Sequence, residues 1–330
     1  MNKKTVLGIV LTVVFLTAIT IAAVRTSNQN KTITKEGYYF NTFISLTAYT
    51  SKDEKALNEC MLLCQKYDEM FDRNKEQSDI YKINHSNGSD VEVNPETYEL
   101  LKKALEFCEE TDGAADITVA GLIDTWGLNI PSDAMLTGAE YDEERSKPED
   151  FGIKEALSHV DYKNVILKEN NTVCLSDPSS QIDLGFIAKG YIADRLKECL
   201  IENNVKSAII SLGGNICLVG SKPDGSDYNV GIKDPDNEGN IINELKLSDT
   251  NAVTSGTYER YVIYDGIKYH HILSTETGYP VDNNVKSVTI LCDSSTDADA
   301  LSTICLILGE EGSEDILKKY NAQAYFYYAE

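Results

Sequence analysis

The chain has 330 residues, a length that allows one large domain or two of ordinary size. Hydrophobic residues make up 42% of the sequence and charged residues 25%, so a packed core is possible and intrinsic disorder of most of the chain is excluded. The 53 acidic and 30 basic residues give a formal net charge of −23, and a surface this acidic argues against nucleic acid as a partner.

The first thirty residues differ in character from the rest of the chain. After a short basic flank, 19 residues from Val6 to Val24 carry no charge. In a helix this run is roughly 28 Å long, about the thickness of a bilayer core. It is longer than the apolar part of most signal peptides, which favours an uncleaved membrane anchor over a cleaved signal peptide. We expect residues 1–30 to be this helix and its tether, and residues 31–330 to be one extracytoplasmic domain, anchored to the cell membrane or secreted.

Hydrophobic periodicity predicts strands and helices that mix without regular strand–helix–strand alternation. In chain order these are a strand at Tyr38–Thr50, a helix at Lys52–Met70, a polar loop region at Asp72–Asp90, a helix at Pro95–Thr111, a surface excursion at 130–160, a hairpin at Val165–Leu175, a helix at Ile187–Asn203, strands at Ser207–Val219, Tyr228–Ile232 and Lys286–Cys292, and a helix at Asp297–Leu308 that ends at Gly309. The mixture indicates the α+β class, with a single large mixed α/β domain behind the N-terminal membrane segment.

Eight cysteines in an exported chain raise the question of disulfides. Cys60 and Cys64 share one helix face, and no second pair lies at metal-binding spacing. The cysteines inside apolar runs are Cys174, Cys217, Cys292 and Cys305. This distribution favours buried free thiols, with one or two bridges as the alternative.

Asp299 and Thr303 lie four residues apart, on one face of the first turns of the last predicted helix. A carboxylate and a hydroxyl in this arrangement suit Mg²⁺ or Ca²⁺, although helix capping explains the same residue types. The helix continues with apolar residues from Ile304 to Leu308, which indicates that it is buried. An inward carboxylate is then hard to explain without a cation.

The stretch Asp183–Tyr191 has a glycine at the end of a strand and Lys189 near the start of a helix. A helix N-terminus with a lysine beside it suits phosphate oxygens. A simple strand–helix turn with a solvated lysine is the alternative. The pattern of a P-loop, Gly-x₄-Gly-Lys-Ser/Thr, is absent from the stretch.

Two further stretches carry candidate site residues. His270 and His271 are adjacent, so in a strand only one of them can reach a given site, where it could transfer a proton. A structural histidine pair is the alternative. The small residues of Gly113–Leu122 would let a backbone approach a flat ligand, with Asp116 as a hydrogen-bond acceptor. A tight turn explains that stretch equally well.

Together and in this order, these segments resemble the ApbE-type flavin transferase family, the FAD:protein FMN transferases. The resemblance extends from about Tyr38 to about Gly309. The stretches that carry it are Gly113–Gly127, Asp183–Tyr191, Ser211–Asn215, Thr254–Tyr261, His270–Pro280 and Ala298–Thr303. Each stretch is a weak signal by itself, whereas six in register are specific.

The resemblance implies an enzyme that binds FAD with Mg²⁺, moves FMN to a Thr or Ser hydroxyl of an exported flavoprotein and releases AMP. The acceptor would be a subunit of an Rnf-type or Na⁺-pumping quinone reductase complex, or a similar FMN carrier. It also implies roles for single residues: His271 or, as second choice, His270 as the base; Phe40, Asn74, Ala114, Ala115, Asp116, Lys189 and Leu273 at the FAD; and Asp299, Thr303 and the carbonyl of Phe186 at the metal.

Two departures from the family pattern leave alternatives open. Phe40-Asn41-Thr42 stands where relatives often have Met-Gly-Thr, so one wall of the FAD site is expected to differ in shape. Asn74 stands where relatives often have an aromatic residue, and members with a small polar residue there resemble Mg²⁺-dependent FAD pyrophosphatases that release FMN and AMP. A non-catalytic FAD-binding protein is the third hypothesis, and the predicted metal ligands and base disfavour it.

Overall fold

A computed structural model describes residues 31–129, 146–237 and 239–329. The predicted membrane segment and residues 130–145 of the predicted excursion lie outside these ranges. Within them, no helix is long and apolar enough to cross a bilayer. The described residues form a mixed α/β fold of helices and antiparallel sheets.

The elements follow one another in an irregular order along the chain. The strands are β1 (Ile33–Tyr39), β2 (Thr42–Ala48), β3 (Val91–Glu92), β4 (Val165–Lys168), β5 (Thr172–Leu175), β6 (Ser207–Leu212), β7 (Asn215–Gly220), β8 (Tyr228–Lys233), β9 (Ile241–Leu247), β10 (Asn251–Gly256), β11 (Tyr261–Tyr264), β12 (Ile267–His270), β13 (Val285–Cys292) and β14 (Gln323–Tyr328). The α-helices are α1 (Glu54–Phe71), α2 (Asp79–Asn84), α3 (Pro95–Glu110), α4 (Ala120–Thr125), α5 (Asp150–Leu157), α6 (Ala188–Glu202) and α7 (Ser295–Lys319).

The main sheet has seven strands in the order β1-β2-β6-β7-β10-β13-β14, and each neighbouring pair is antiparallel. Smaller sheets are formed by β3-β5-β4, β8-β9 and β11-β12. Strand β6 illustrates why the sheet has one core face, since Ala208, Ile210 and Leu212 are fully buried and alternate with half-buried residues. Helices α1, α6 and α7 contact the main sheet and form the layer over this core.

Helix α1 follows from its sequence in the same way. Its buried residues Leu57, Cys60, Cys64 and Tyr67 recur every three or four positions, the spacing of one helix face. Full burial of a leucine such as Leu57 contributes about 1.5–3 kcal/mol through removal of apolar surface from water. A second, smaller core surrounds the buried Trp126.

Two predicted strands are hairpins in the structure. The predicted strand Tyr38–Thr50 begins in β1 and continues in β2, because Phe40 and Asn41 form a turn in which both residues have a φ of 56°. The predicted strand Ser207–Val219 is divided at Gly213, whose φ is 66°, into β6 and β7. The alternation of apolar and polar residues continues through a tight turn without a break. A prediction based on this alternation alone therefore joins the two strands of a hairpin into one.

Other boundaries also differ from the sequence prediction. The region Asp72–Asp90, predicted as loop, contains helix α2, which Ser78 caps by accepting a hydrogen bond from the Tyr81 backbone N–H. The helix predicted at Asp297–Leu308 ends at Gly309 as predicted, because the backbone leaves helical geometry there, with a φ of 72° and a ψ of 178°. The sequence did not predict the second helical segment, which continues α7 beyond this kink to Lys319.

The eight cysteines are all unpaired, as the sequence analysis favoured. Seven are buried, and Cys199 is half-buried. Burial raises the pKa of the Cys64 thiol to about 12, so this thiol stays protonated at neutral pH.

Candidate functional site

A cavity of about 610 Å³ lies beside the main sheet, within the size range of cofactor and substrate sites. Its boundaries come from distant parts of the chain. They include the β1–β2 turn with Phe40, the loop before α4 with Ala115, the loop before α6 with Phe186, strand β8 with Val230 and helix α7 with Thr303. The fold therefore brings together segments that the sequence separates by more than 200 residues.

Most site residues predicted from the sequence line this one cavity. They are Phe40, Asn74, Ala114, Ala115, Asp116, Phe186, Lys189, His271, Leu273 and Thr303. Two predicted residues do not line it. The ring of His270 is held elsewhere by a contact of 3.0 Å between its Nε2 and the carbonyl oxygen of Val281, and Asp299 is buried next to Lys189 with 2% of its surface exposed.

The cavity has two walls of different construction. We call the side formed by Phe186, Lys189 and Thr303, with Asp299 buried next to them, the helix wall, because it is built at the starts of α6 and α7. We call the side formed by the residues that precede or connect secondary-structure elements the loop wall. The loop wall comprises Phe40, Asn74, Ala114, Ala115, Asp116 and Leu273.

Two groups of the helix wall hold Asp299 in place, a backbone N–H and an ammonium. Its Oδ2 accepts a hydrogen bond of 2.8 Å from the Gly190 backbone N–H, and its Oδ1 lies 3.5 Å from the Lys189 Nζ. Burial raises the pKa of Asp299, while the Lys189 ammonium acts in the opposite direction. Lys189 also donates to the carbonyl oxygen of Gly185 at 3.3 Å. The Asp299 carboxylate thus already has one cationic neighbour, the Lys189 ammonium.

Gly190 makes this geometry possible. A β-carbon at position 190 would lie 2.2 Å from the carbonyl oxygen of Ser295 and 2.6 Å from the Cβ of Asp299, closer than van der Waals contact permits. Only a residue without a side chain lets α6 approach α7 this closely. The close approach places the Asp299 carboxylate beside the backbone N–H of residue 190 and the side chain of Lys189.

The helix wall contains two side chains with oxygen donors of the kind that a hard divalent cation binds, the Asp299 carboxylate and the Thr303 hydroxyl, which lies 3.2 Å from the Ser255 hydroxyl. Phe186 lines the same cavity, and the role of its backbone carbonyl as a ligand stays a prediction. Carboxylate, hydroxyl and carbonyl oxygens are the ligands that Mg²⁺ and Ca²⁺ prefer. A cluster of three or more His, Cys, Asp or Glu residues suited to a metal does not occur in the described part of the chain. A metal here would rely on mixed oxygen donors and bound phosphate.

His271 is fixed in one tautomer by its neighbour. The carbonyl oxygen of Arg260 accepts from the His271 backbone N–H at 3.1 Å and lies 3.1 Å from its Nδ1. Because a carbonyl only accepts, Nδ1 carries the hydrogen and Nε2 keeps its lone pair. Burial, and then the Arg260 guanidinium, lower the pKa of His271 to about 3. The imidazole is therefore neutral at physiological pH, and its Nε2 carries no proton.

Both carboxylate oxygens of Asp116 already accept hydrogen bonds from the protein. Its Oδ1 accepts hydrogen bonds of 2.7 Å from both the backbone N–H and the hydroxyl of Thr118, and its Oδ2 accepts one of 2.7 Å from the Tyr162 N–H. Burial raises the pKa of this carboxyl, and the hydrogen bonds from Thr118 act against that rise. Asp116 thus shapes the loop wall at least as much as it offers acceptors to a ligand.

Several cavity residues were missed by the sequence analysis. Arg73, Glu259, Arg260 and Thr275 all line the cavity. Burial raises the pKa of Glu259, against the lowering effect of Lys189. A signal was present for two of them, because Glu259 and Arg260 are an isolated charged pair at the entrance to a strand.

Known proteins share this sequence pattern and fold. The model of the ApbE family matches residues 40–326 of the chain. The chain is 34% identical over 283 residues to the FAD:protein FMN transferase of Treponema pallidum (strain Nichols), a match that covers 80% of this chain and 74% of the relative. It is 32% identical over 280 residues to the FAD:protein FMN transferase of Klebsiella pneumoniae (strain 342), covering 84% and 83% of the two chains.

A solved structure shows the same architecture. The crystal structure of the ApbE protein from Thermotoga maritima superposes with a TM-score of 0.79 at 32% sequence identity. The superposition covers 90% of this chain and 94% of that one.

Proposed function

Because the chain belongs to the ApbE family, we propose that it is a Mg²⁺-dependent FAD:protein FMN transferase. It moves FMN from FAD to a Thr or Ser hydroxyl of an exported flavoprotein and releases AMP. The observation that carries the proposal is the placement of a neutral imidazole, His271, and a lysine–carboxylate pair, Lys189 and Asp299, at one cavity. Nucleotide transfer needs these two functions, a proton acceptor for the nucleophile and positive charge at the phosphates.

Substrate binding divides between the two walls. The small side chains of Ala114 and Ala115 and the ring of Phe40 offer a surface that a flat isoalloxazine or adenine ring can contact closely. Lys189 offers an ammonium to the pyrophosphate. FAD bound in this way has its reacting phosphorus near the helix wall.

A magnesium ion would be held by the Asp299 carboxylate, the Thr303 hydroxyl and the Phe186 carbonyl. When bound, Mg²⁺ neutralises charge on the pyrophosphate and on the departing phosphate. The net charge of −23 does not oppose an anionic substrate here, since salt screens surface charges beyond about 8–10 Å.

The chain's own chemical step is a proton transfer. His271 accepts the hydroxyl proton of the acceptor at Nε2, and the hydroxyl oxygen attacks the phosphorus of the FMN half. A new P–O bond forms, the bond from that phosphorus to the bridging oxygen breaks, and the electron pair leaves with AMP. AMP is a stable anion and needs no proton to depart, so His271 can release its proton to water afterwards. The Arg260 carbonyl stabilises the imidazolium through Nδ1–H during the step.

The location of the reaction follows from the N-terminal sequence. We propose that residues 1–30 export the domain and anchor it to the membrane, which places the site outside the cytoplasm. The acceptor is then an extracytoplasmic FMN carrier, of the kind found in Rnf-type or Na⁺-pumping quinone reductase complexes.

One incubation tests the proposal. The purified full-length chain is mixed with FAD, Mg²⁺ and a candidate acceptor domain, and with the same acceptor in which the target Thr is replaced by Ala. We expect covalent flavin fluorescence on the first acceptor only, together with AMP. Absence of labelling, with FAD left intact, would reject the proposal.

A second candidate function is FAD pyrophosphatase activity with water as the nucleophile. The observation that favours it is the exposed Asn74 of the loop wall, whose side chain pairs with that of Asn129 at 2.9 Å and with Asp72 at 3.2 Å. A polar side chain at this position attracts water, whereas an aromatic ring would displace it. Free FMN and AMP with an unlabelled acceptor would identify this activity.

A further inference from the structure

Arg73 ties together segments on both sides of the cavity. Its Nη1 and Nη2 donate to the two carboxylate oxygens of Asp124 at 2.9 and 2.7 Å, a bidentate pair. Its Nε lies 2.9 Å from an oxygen of Asp183, and the Arg73 side chain is 9% exposed. One guanidinium thus joins the loop after α1, helix α4 and the loop before α6.

The partners of Arg73 hold the segments that carry site residues. The second oxygen of Asp183 accepts from the Gly185 backbone N–H at 2.7 Å, and the Asp183 backbone N–H donates to the Ile117 carbonyl at 2.8 Å. These bonds set the path of the loop that leads to Phe186 and Lys189. Arg73 itself directly precedes Asn74.

We propose that Arg73 is a positioning residue, which holds the Asn74 side of the loop wall at a fixed separation from the helix wall. The proposal rests on the proposed function for its substrate, FAD. A fixed separation keeps the loop wall against the bound flavin nucleotide and limits the access of water to the reacting phosphorus. Arg73 therefore determines FAD affinity and the division of FMN between the acceptor hydroxyl and water.

The geometry indicates that Arg73 has a positioning role and is not simply one half of a weak surface ion pair. Exposed pairs contribute little because water screens them and long side chains lose freedom. Asp124 is 41% and Asp183 25% exposed, but the Arg73 side chain between them is nearly excluded from water and pairs with both carboxylates at once. Small displacements of a bound substrate reduce reaction rates strongly. Weakening the contacts of Arg73 with Asp124 and Asp183 should therefore change FAD binding and the reaction measurably.

Two conservative variants test the proposal in the full-length chain. Arg73→Lys keeps the positive charge but replaces the planar fork by one ammonium, which cannot hold both carboxylates in the same way. Asp124→Asn removes the charge of one partner and leaves the Asp183 contact in place. Arg195→Lys is the matched control, because Arg195 is also partly buried but pairs with Glu198 on α6.

The measurements are the Kd of FAD by fluorescence quenching, the ratio of free FMN to FMN on the acceptor, and the Tm. For Arg73→Lys we expect the Kd to rise about tenfold and the free FMN fraction to rise several-fold. Asp124→Asn should change both in the same direction by less, and Arg195→Lys should stay within about twofold of the wild type.

The outcomes separate this proposal from the proposed function. If Arg73→Lys lowers only the Tm and leaves both the Kd and the product ratio within about twofold of the wild type, Arg73 is merely structural and the proposal is overturned. If the wild type binds FAD but never labels an acceptor, the transferase function fails, while the change in Kd still decides the role of Arg73.

Discussion

The two walls of the cavity are built in opposite ways. In the helix wall, Asp299 and Lys189 lie at the starts of helices that pack in the main core, and Gly190 lets those helices touch. In the loop wall, Phe40 lies in a turn with a φ of 56° and Asn74 is exposed. The helix wall is fixed by the packing of two helices, and the loop wall by turns together with contacts to distant segments, such as those of Arg73.

This difference indicates how the functions are divided. Groups that hold charge need fixed positions, and helix starts within a packed core provide them. His271 belongs to neither wall: it directly follows β12, and the Arg260 carbonyl holds it in place. Contacts that fit a particular substrate can vary on loops without loss of the fold. Substitutions in the helix wall should therefore lower catalysis or stability, whereas substitutions in the loop wall should change substrate binding.

The largest effect is expected from Asp299→Asn. The amide can still accept from the Gly190 N–H but carries no charge for a cation, so the Mg²⁺-dependent rate should fall by about 10²–10³. Calorimetric titration of Mg²⁺ into the protein with FAD present should show weakened binding. Wild-type turnover in this variant would remove Asp299 from the metal site.

His271→Gln is expected to slow transfer by about 10²-fold or more, because a glutamine cannot take the hydroxyl proton. The Kd of FAD should stay within a few-fold of the wild-type value, since the substitution conserves size and a polar end. Single-turnover labelling of the acceptor measures the step. A rate unchanged by the substitution would show that another group is the base.

The same variant makes a prediction about stability and pH. The pKa of His271 is about 3 in the folded protein and about 6.5 when unfolded, so between these values only the unfolded chain binds this proton. The wild type must therefore lose stability from this group as the pH falls from 6.5 towards 3. Urea unfolding at pH 7 and pH 4.5 should show a smaller loss for His271→Gln than for the wild type, and equal losses would contradict the assigned pKa.

A pair of glycine substitutions tests the packing of the helix wall. Gly190→Ala should destabilise the protein by about 1–3 kcal/mol, because its β-carbon collides with the backbone of α7. Gly121→Ala, in α4, meets nothing within 4 Å and should stabilise by about 0.4–1 kcal/mol. Urea denaturation of both variants measures the difference. Equal effects would mean that α6 and α7 can separate without cost.

The smallest effect is expected in the loop wall. Phe40→Ala should raise the KM for FAD by up to about tenfold, through loss of ring contact, and leave kcat within about twofold. Steady-state kinetics with saturating acceptor separates the two parameters. A large fall in kcat with an unchanged KM would mean that the loop wall takes part in the chemical step.

The sequence predicted the long periodic elements well. The helices at Pro95 and Ile187 and the hairpin at Val165–Leu175 lie where their periodicity placed them. The family resemblance named residues that the fold brings to one cavity. In such long segments many hydrophobic residues follow the spacing of a helix or strand. One residue that departs from this spacing therefore does not change the prediction.

What the sequence did not predict depends on contacts between distant segments. The ties of Arg73 to Asp124 and Asp183 span 51 and 110 positions, and no local pattern marks them. The turn at Phe40 and Asn41 was not predicted because neither residue is a glycine, although asparagine tolerates a positive φ. The need for Gly190 appeared only when α6 and α7 were seen in contact.

The central claim is that FMN moves from FAD to a protein hydroxyl at this cavity. Intact-mass spectrometry of an acceptor domain, after incubation with the full-length chain, FAD and Mg²⁺, tests it most directly. The proposed function predicts that the acceptor gains the mass of one FMN less one water, that its Thr→Ala variant gains none, and that His271→Gln enzyme produces little product. An acceptor of unchanged mass, beside complete conversion of FAD to free FMN and AMP, would contradict the claim and assign the cavity to a pyrophosphatase.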